Sequence, residues 1–336
     1  MQVKGGAVPH TDFCTFHTGD EMLGNEKLIR SSRRFAAVCL CLWVGLVTGC
    51  GDTSSESGGD RFTVVCTTTM IADLAKNLVG DDVQVIGIMK TGEDPHVYDV
   101  RPRDAQMIAD ADVILMNGLH LESTLEHIIE HNAEGAVVSR LAEDDRIKTL
   151  GSETKEGAPD PHCWFNVEYF KVYTERARDA LIAADPSNAE AYQARAAEYL
   201  AELDTLEAYV AEQLNTVPQE QRVIVTSHDA FQYFGKKYGV EVLAVIGIST
   251  EQQPRPQDIA DLEAQVTERG VRALFIETSV SRTLNDIVKK VAKQSGAAIG
   301  GTLYSDSLGD PDSQAGTYLG MVRYNTDLIV KALSQP

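Results

Sequence analysis

The chain has 336 residues, 43% of them hydrophobic and 24% charged, with six cysteines and a formal net charge of −20. That length exceeds what one hydrophobic core usually fills, so about two domains are expected, and the ordinary composition excludes collagen, a coiled-coil rod and wholesale disorder. The acidic balance is spread without a long run, which disfavours nucleic acid as a partner and raises the local concentration of cations.

Arg30, Arg33 and Arg34 precede an apolar run over 35–47 that ends in Val47-Thr48-Gly49-Cys50-Gly51. The run is too short for a bilayer, which takes about 20 apolar residues. Basic flank, short apolar run and small residues stand in the order of a secretory signal. Small residues before a cysteine resemble a bacterial lipobox, in which Cys50 carries lipid and becomes the first mature residue. Met22 would give a signal of more usual length than Met1, and residues 1–49 are set aside as the signal segment. Residues 50–61 follow as a polar, flexible tether. The body is therefore expected in the cell envelope, on the periplasmic or extracellular side, lipid-anchored to the membrane. Cys14, Cys39 and Cys41 fall in the signal, leaving Cys66 and Cys163. These two read as small buried thiols, with a single disulfide between them formally open.

From Phe62 short β-branched runs alternate with amphipathic stretches. The pattern predicts strands over 62–66, 83–88 and 112–116, and helices over 70–79 and 102–109. A second series predicts strands over 222–226, 240–245, 273–276 and 297–302, with helices over 257–269 and 283–295. Between the two series Tyr192, Ala196, Tyr199, Leu203, Leu206, Val210 and Leu214 recur at steps of three and four, which marks one long amphipathic helix. Ser187 and Glu190 offer it a capping box. The fold class is α/β: two lobes, each a mostly parallel sheet flanked by helices, joined by one long rigid helix with a ligand cleft between them. The expected boundaries are 62–185, 186–215 and 216–336.

Three of the eight histidines stand in polar settings where strands should end. Asp94-Pro95-His96 and Asp160-Pro161-His162 repeat one tripeptide, and Ser227-His228-Asp229 directly follows a predicted strand. A fourth element, Gly300-Gly301-Thr302-Leu303-Tyr304-Ser305-Asp306, leaves the last predicted strand and brings a carboxylate. Ligands of open α/β sheets sit beyond the carboxyl ends of strands, so His96, His162, His228 and Asp306 can meet in one crevice. Three imidazoles and a carboxylate suit a divalent transition metal. Asp94 and Asp160 could orient the imidazoles or cap the following turns, and Glu277 is a further group that could stand behind the ligands. His127 and His131 belong to a solvated helix face, and His120 could line the cleft without being a ligand.

These motifs resemble the zinc- and manganese-specific solute-binding proteins of bacterial ABC importers, in the three-histidine, one-aspartate branch of treponemal type. The resemblance runs from about Phe62 to Leu333. It rests on the two Asp-Pro-His tripeptides, Asn117-Gly118-Leu119-His120-Leu121-Glu122, Trp164-Phe165, Thr226-Ser227-His228-Asp229-Ala230-Phe231, Tyr304-Ser305-Asp306 and Gly316-Thr317-Tyr318. It implies that His96, His162, His228 and Asp306 are the metal ligands, that Mn2+ or Zn2+ is the transported ion with Fe2+ a further candidate, and that a membrane permease receives it. It also implies a non-enzymatic monomer. No His-rich loop separates His96 from His162, unlike many zinc members, and His228 stands where many manganese members have glutamate.

Two other readings compete. A metal-dependent hydrolase would need an open coordination position and Glu277 or Asp229 as general base. A surface adhesion lipoprotein would need no metal. Neutral imidazoles bind metal, so a three-histidine site is expected to weaken below about pH 6.

Overall fold

The structure, a computed structural model, describes residues 61–151 and 159–334. The signal segment, Cys50 and the tether as far as Asp60 lie outside the described residues.

Val64, Val65 and Cys66 are wholly buried in β1 (Thr63–Cys66), as a short apolar run without alternation requires of a strand covered on both faces. It pairs in parallel with β2 (Gln84–Gly87) and β3 (Val113–Met116), and β3 pairs with β4 (Val137–Arg140). The crossovers are α1 (Thr69–Leu78), α2 (Pro102–Ala109) and α3 (Ser123–Asn132). After α4 (Val167–Ala184) and α5 (Ala189–Asn215), the second lobe repeats the plan. Its order is β5 (Val223–Thr226), α6 (Gln232–Tyr238), β6 (Glu241–Ala244), α7 (Pro256–Glu268), β7 (Ala273–Glu277), α8 (Arg282–Ser295) and β8 (Ala298–Leu303), and α9 (Tyr318–Leu333) ends the chain. The sheet orders β2-β1-β3-β4 and β6-β5-β7-β8 are the same topology used twice.

The 27 residues of α5 run about 40 Å, and the seven apolar positions picked out by periodicity are the seven it buries. Its start departs from expectation. Pro186–Asn188 forms a 3-10 turn, and the Ser187 hydroxyl donates to Asp185 Oδ1 at 2.5 Å instead of capping a helical amide. Tyr192 also donates its hydroxyl to Asp185, so the carboxylate gathers the donors at this corner. No capping box forms between Ser187 and Glu190 because the helix begins two residues late.

One apolar core runs through both lobes, taking in α1, α4, α5, α9 and the residues after β5. Phe170 stacks on Tyr318 with ring centroids 3.5 Å apart, and Phe165 on Phe231 at 4.2 Å. The described residues form one compact unit. Gly300 shows why glycine occupies β8, since a Cβ there would lie 2.5 Å from the Phe275 ring. Cys66 and Cys163 are both free and buried. Among the described residues no helix is long and apolar enough to cross a membrane.

Candidate metal centre

The repeated Asp-Pro-His tripeptide is one local device used twice. Asp94 Oδ1 accepts the His96 amide at 3.0 Å, and Asp160 Oδ1 accepts the His162 amide at 3.0 Å. An aspartate capping the amide two residues on closes a tight turn, and proline between them presets its φ. Each turn leads into a short 3-10 segment, Pro95–Val97 and Cys163–Phe165. His228 is set differently. Beyond β5, Glu277 Oε1 at the end of β7 accepts the amides of Ser227 at 2.6 Å and His228 at 3.0 Å. Asp306 lies beyond β8, where the Ser279 hydroxyl meets its amide at 3.1 Å and its Oδ2 at 3.2 Å. His162 alone departs from the strand-end expectation. It follows Pro159, whose bridge to Gly151 is isolated from both sheets.

The structure brings His96, His162, His228 and Asp306 together, with one donor atom of each within 4.8 Å of all the others. The Nε2 atoms of His96 and His228 lie 3.2 and 3.3 Å from that of His162. Asp306 Oδ2 is 3.2 Å from His228 Nε2, and Oδ1 is 3.5 Å from His162 Nε2. A tetrahedral shell with metal–nitrogen bonds of about 2.0 Å spaces its donors about 3.3 Å apart. Asp306 Oδ1 is buried without a hydrogen-bond partner, an expensive arrangement unless a cation meets it. With both oxygens facing the imidazoles, Asp306 can supply one donor or two. His162, His228 and Asp306 are buried, while His96 is half-buried. A cavity of about 150 Å³, lined by His96, Leu119, His120, Pro161, Ser249 and Glu251, opens beside it.

The three candidate supporting carboxyls differ in what they touch. Asp160 Oδ1 accepts from His162 Nδ1 at 2.7 Å, and Glu277 Oε2 lies 2.7 Å from His228 Nδ1. Both turn Nε2 of their imidazole toward the centre. Asp94 holds the His96 backbone, and burial with the nearby Asp306 charge pushes it up to about 6. Burial alone would lower His162, but Asp160 and Asp306 outweigh it and hold the imidazole up at about 9. The same opposition, with Glu277 and Asp306 prevailing over burial, raises His228 well above its ordinary value. Asp306 stays well below the carboxylate range, the two cationic imidazoles overcoming its desolvation. Burial and the charge on its neighbours drive His96 down to about 3 against the pull of Asp306.

Neither carboxyl of the hydrolase reading is placed as a general base. Glu277 is taken up by two amides and His228 Nδ1, and Asp229 accepts from Gln232 in a separate groove. His120 lines the cavity mouth with Nδ1 3.2 Å from Glu126 Oε2 and stays outside the cluster. His127 and His131 are exposed on α3, where the latter's Nδ1 donates to the His127 carbonyl at 2.7 Å. Sequence reasoning missed Ser279, which no motif marks. It also missed the buried set in which Glu122 Oε1 accepts from Thr67 and Asn117 while Tyr173 donates to Asn117.

Comparison with known proteins gives the same picture from a different direction. Residues 64–332 match the family described as ZnuA, zinc-uptake complex component A, periplasmic. The chain is 36% identical over 290 residues to the manganese-binding lipoprotein MntA of Bacillus subtilis, covering 85% of this chain and 95% of that protein. It is 35% identical over 304 residues to the zinc-binding protein TroA of Treponema pallidum, covering 89% and 98% of the two chains. The solved TroA structure superposes with a TM-score of 0.78 over 82% of this chain and 100% of that one, at 35% identity. A Mn-bound periplasmic metal-binding protein from Candidatus Liberibacter asiaticus superposes with a TM-score of 0.73 over 81% of this chain and 100% of that one, at 31% identity. With nearly the whole folded body matched by the family and by these relatives, the chain belongs to the ZnuA family of periplasmic metal-uptake components.

Proposed function

We propose that this chain is the extracytoplasmic receptor of a bacterial ABC importer, capturing Mn2+ or Zn2+ as its cargo and delivering the ion to a membrane permease. His96, His162, His228 and Asp306 are the ligands. The observation that carries this reading is the convergence of three Nε2 atoms and an unpartnered carboxylate oxygen at the spacing of a metal shell. Relatives named for manganese and for zinc leave both ions in play. A three-imidazole site favours Zn2+ over Mn2+ in direct competition. Asp160 and Glu277 orient two of the ligands, and Asp94 shapes the turn that carries the third. The protein acts by binding, as a monomer, with lipid on Cys50 holding it at the membrane and residues 50–61 as its tether. The lobes are 62–185 and 216–336, with 186–215 between them.

Calorimetric titration of the chain lacking residues 1–49 tests the reading. Binding of one Mn2+ or Zn2+ per chain, reduced at least a hundredfold by His162→Ala, is expected. Failure to bind either ion would overturn it, and an unchanged affinity in the variant would remove His162 from the ligand set.

A further inference from the structure

Asp306 leaves the second lobe on the segment that follows β8, yet the residues around it are bonded to the first lobe. The Ser305 carbonyl accepts from Trp164 Nε1 at 3.3 Å, two residues beyond His162. Ser307 Oγ accepts the Gly92 amide at 2.8 Å, and the Leu308 amide donates to Thr69 Oγ1 at 2.8 Å in the first turn of α1. Thr91 Oγ1 reaches the Gly309 carbonyl at 3.4 Å. Asp306 and Ser305 are also held by their own lobe, both through the Ser279 hydroxyl.

The partner loop is stiff. Gly92 adopts φ +80, a left-handed conformation open to glycine, and so presents its amide to Ser307. The Glu93 amide donates to the Lys90 carbonyl at 3.0 Å, Glu93 Oε2 accepts the Lys90 amide at 2.8 Å, and Arg101 pairs with the Glu93 carboxylate. Asp94 then closes the turn of His96. From Ser307 to the His96 turn the chain is thus a short run of mutually bonded residues. Leu308 is buried, so its amide does not find water readily if the Thr69 hydroxyl is removed, whereas the Gly92 amide sits on an exposed residue and loses less with Ser307 Oγ.

We infer that Ser307 and Thr69 are positioning residues that tie the Asp306 segment to the first lobe across the cleft, Ser307 through the His96 loop and Thr69 through α1, so that the His96 and Asp306 ligands hold and release the ion as a pair. The inference rests on the four-ligand reading above. Neither hydroxyl touches the ion. Each acts by holding a ligand-bearing segment against the opposite lobe.

The test is stopped-flow release of Zn2+ from the full-length chain to a chromophoric chelator. Thr69→Val is expected to speed release about tenfold and Ser307→Ala about threefold, since the Leu308 amide is buried and Gly92 is exposed. Thr69→Ser, which keeps the hydroxyl, should restore the wild-type rate within about twofold. In a His96→Ala background Ser307→Ala should add nothing, because the tie then has no ligand to hold. A merely structural role would lower the melting temperature of the metal-free variants without changing the release rate, and that result overturns the inference while leaving the ligand set intact. Equal acceleration by Ser307→Ala with and without His96 also overturns it. If the wild-type chain holds no Zn2+, both the inference and the reading beneath it fail.

Discussion

His162 and His228 each meet a carboxyl at Nδ1, whereas Asp94 holds His96 only by its backbone. This asymmetry moves the pH dependence of binding. Free imidazoles would lose affinity for metal only below about pH 6. The imidazole of His162, held at about 9, carries a proton that the ion must displace, so affinity should fall with pH throughout the range below about 9. The slope is about tenfold per pH unit for each proton displaced. Calorimetry at pH 7 in buffers of different ionisation enthalpy should show release of at least one proton per ion, and no release would contradict the assignment. Glu277→Gln keeps an acceptor for the two amides but weakens the hold on His228 Nδ1. A loss of about 10- to 100-fold in metal affinity is expected, with far-UV circular dichroism unchanged.

The long helix offers a direct test at the scale of elements. Leu206 is wholly buried on the α5 face, and Leu206→Ala should cost about 2–5 kcal/mol in chemical denaturation by leaving a cavity in the shared core. Glu122, after β3, bears on stability through pH. Desolvation pushes it up to about 7 although Thr67 and Asn117 donate to it. Because that value exceeds the unfolded one of about 4.3, its contribution is fully present below pH 4.3 and is lost as pH rises through about 7. Glu122→Gln removes the titration, so the melting temperature of the variant should gain on the wild type between pH 5 and pH 8. Elements with a strong period were legible in the sequence, α5 above all, because one face of seven apolar residues needs no tertiary information. The site was legible where local chemistry repeats, as in the Asp-Pro-His turns. Ser187 misled because Asp185 competes for its hydroxyl. Ser279, Ser307 and Thr69 were silent because their partners lie 26 to 239 positions away and a lone hydroxyl carries no pattern.

For the molecule as a whole, metal removal should lower stability in proportion to occupancy. At a free ion concentration a hundredfold above Kd, the bound form gains about 2.7 kcal/mol, readable as a rise in melting temperature that chelator abolishes. The apolar core that runs unbroken through both lobes has its own consequence for how cargo is surrendered. A hinge would have to shear the Phe165–Phe231 and Phe170–Tyr318 stacks. Small-angle scattering curves of the empty and loaded protein should therefore overlay. Such a receptor does not advertise its state by opening and shutting like a jaw. An importer that prefers the loaded form is then expected to read a local change in a few side chains rather than a change of shape.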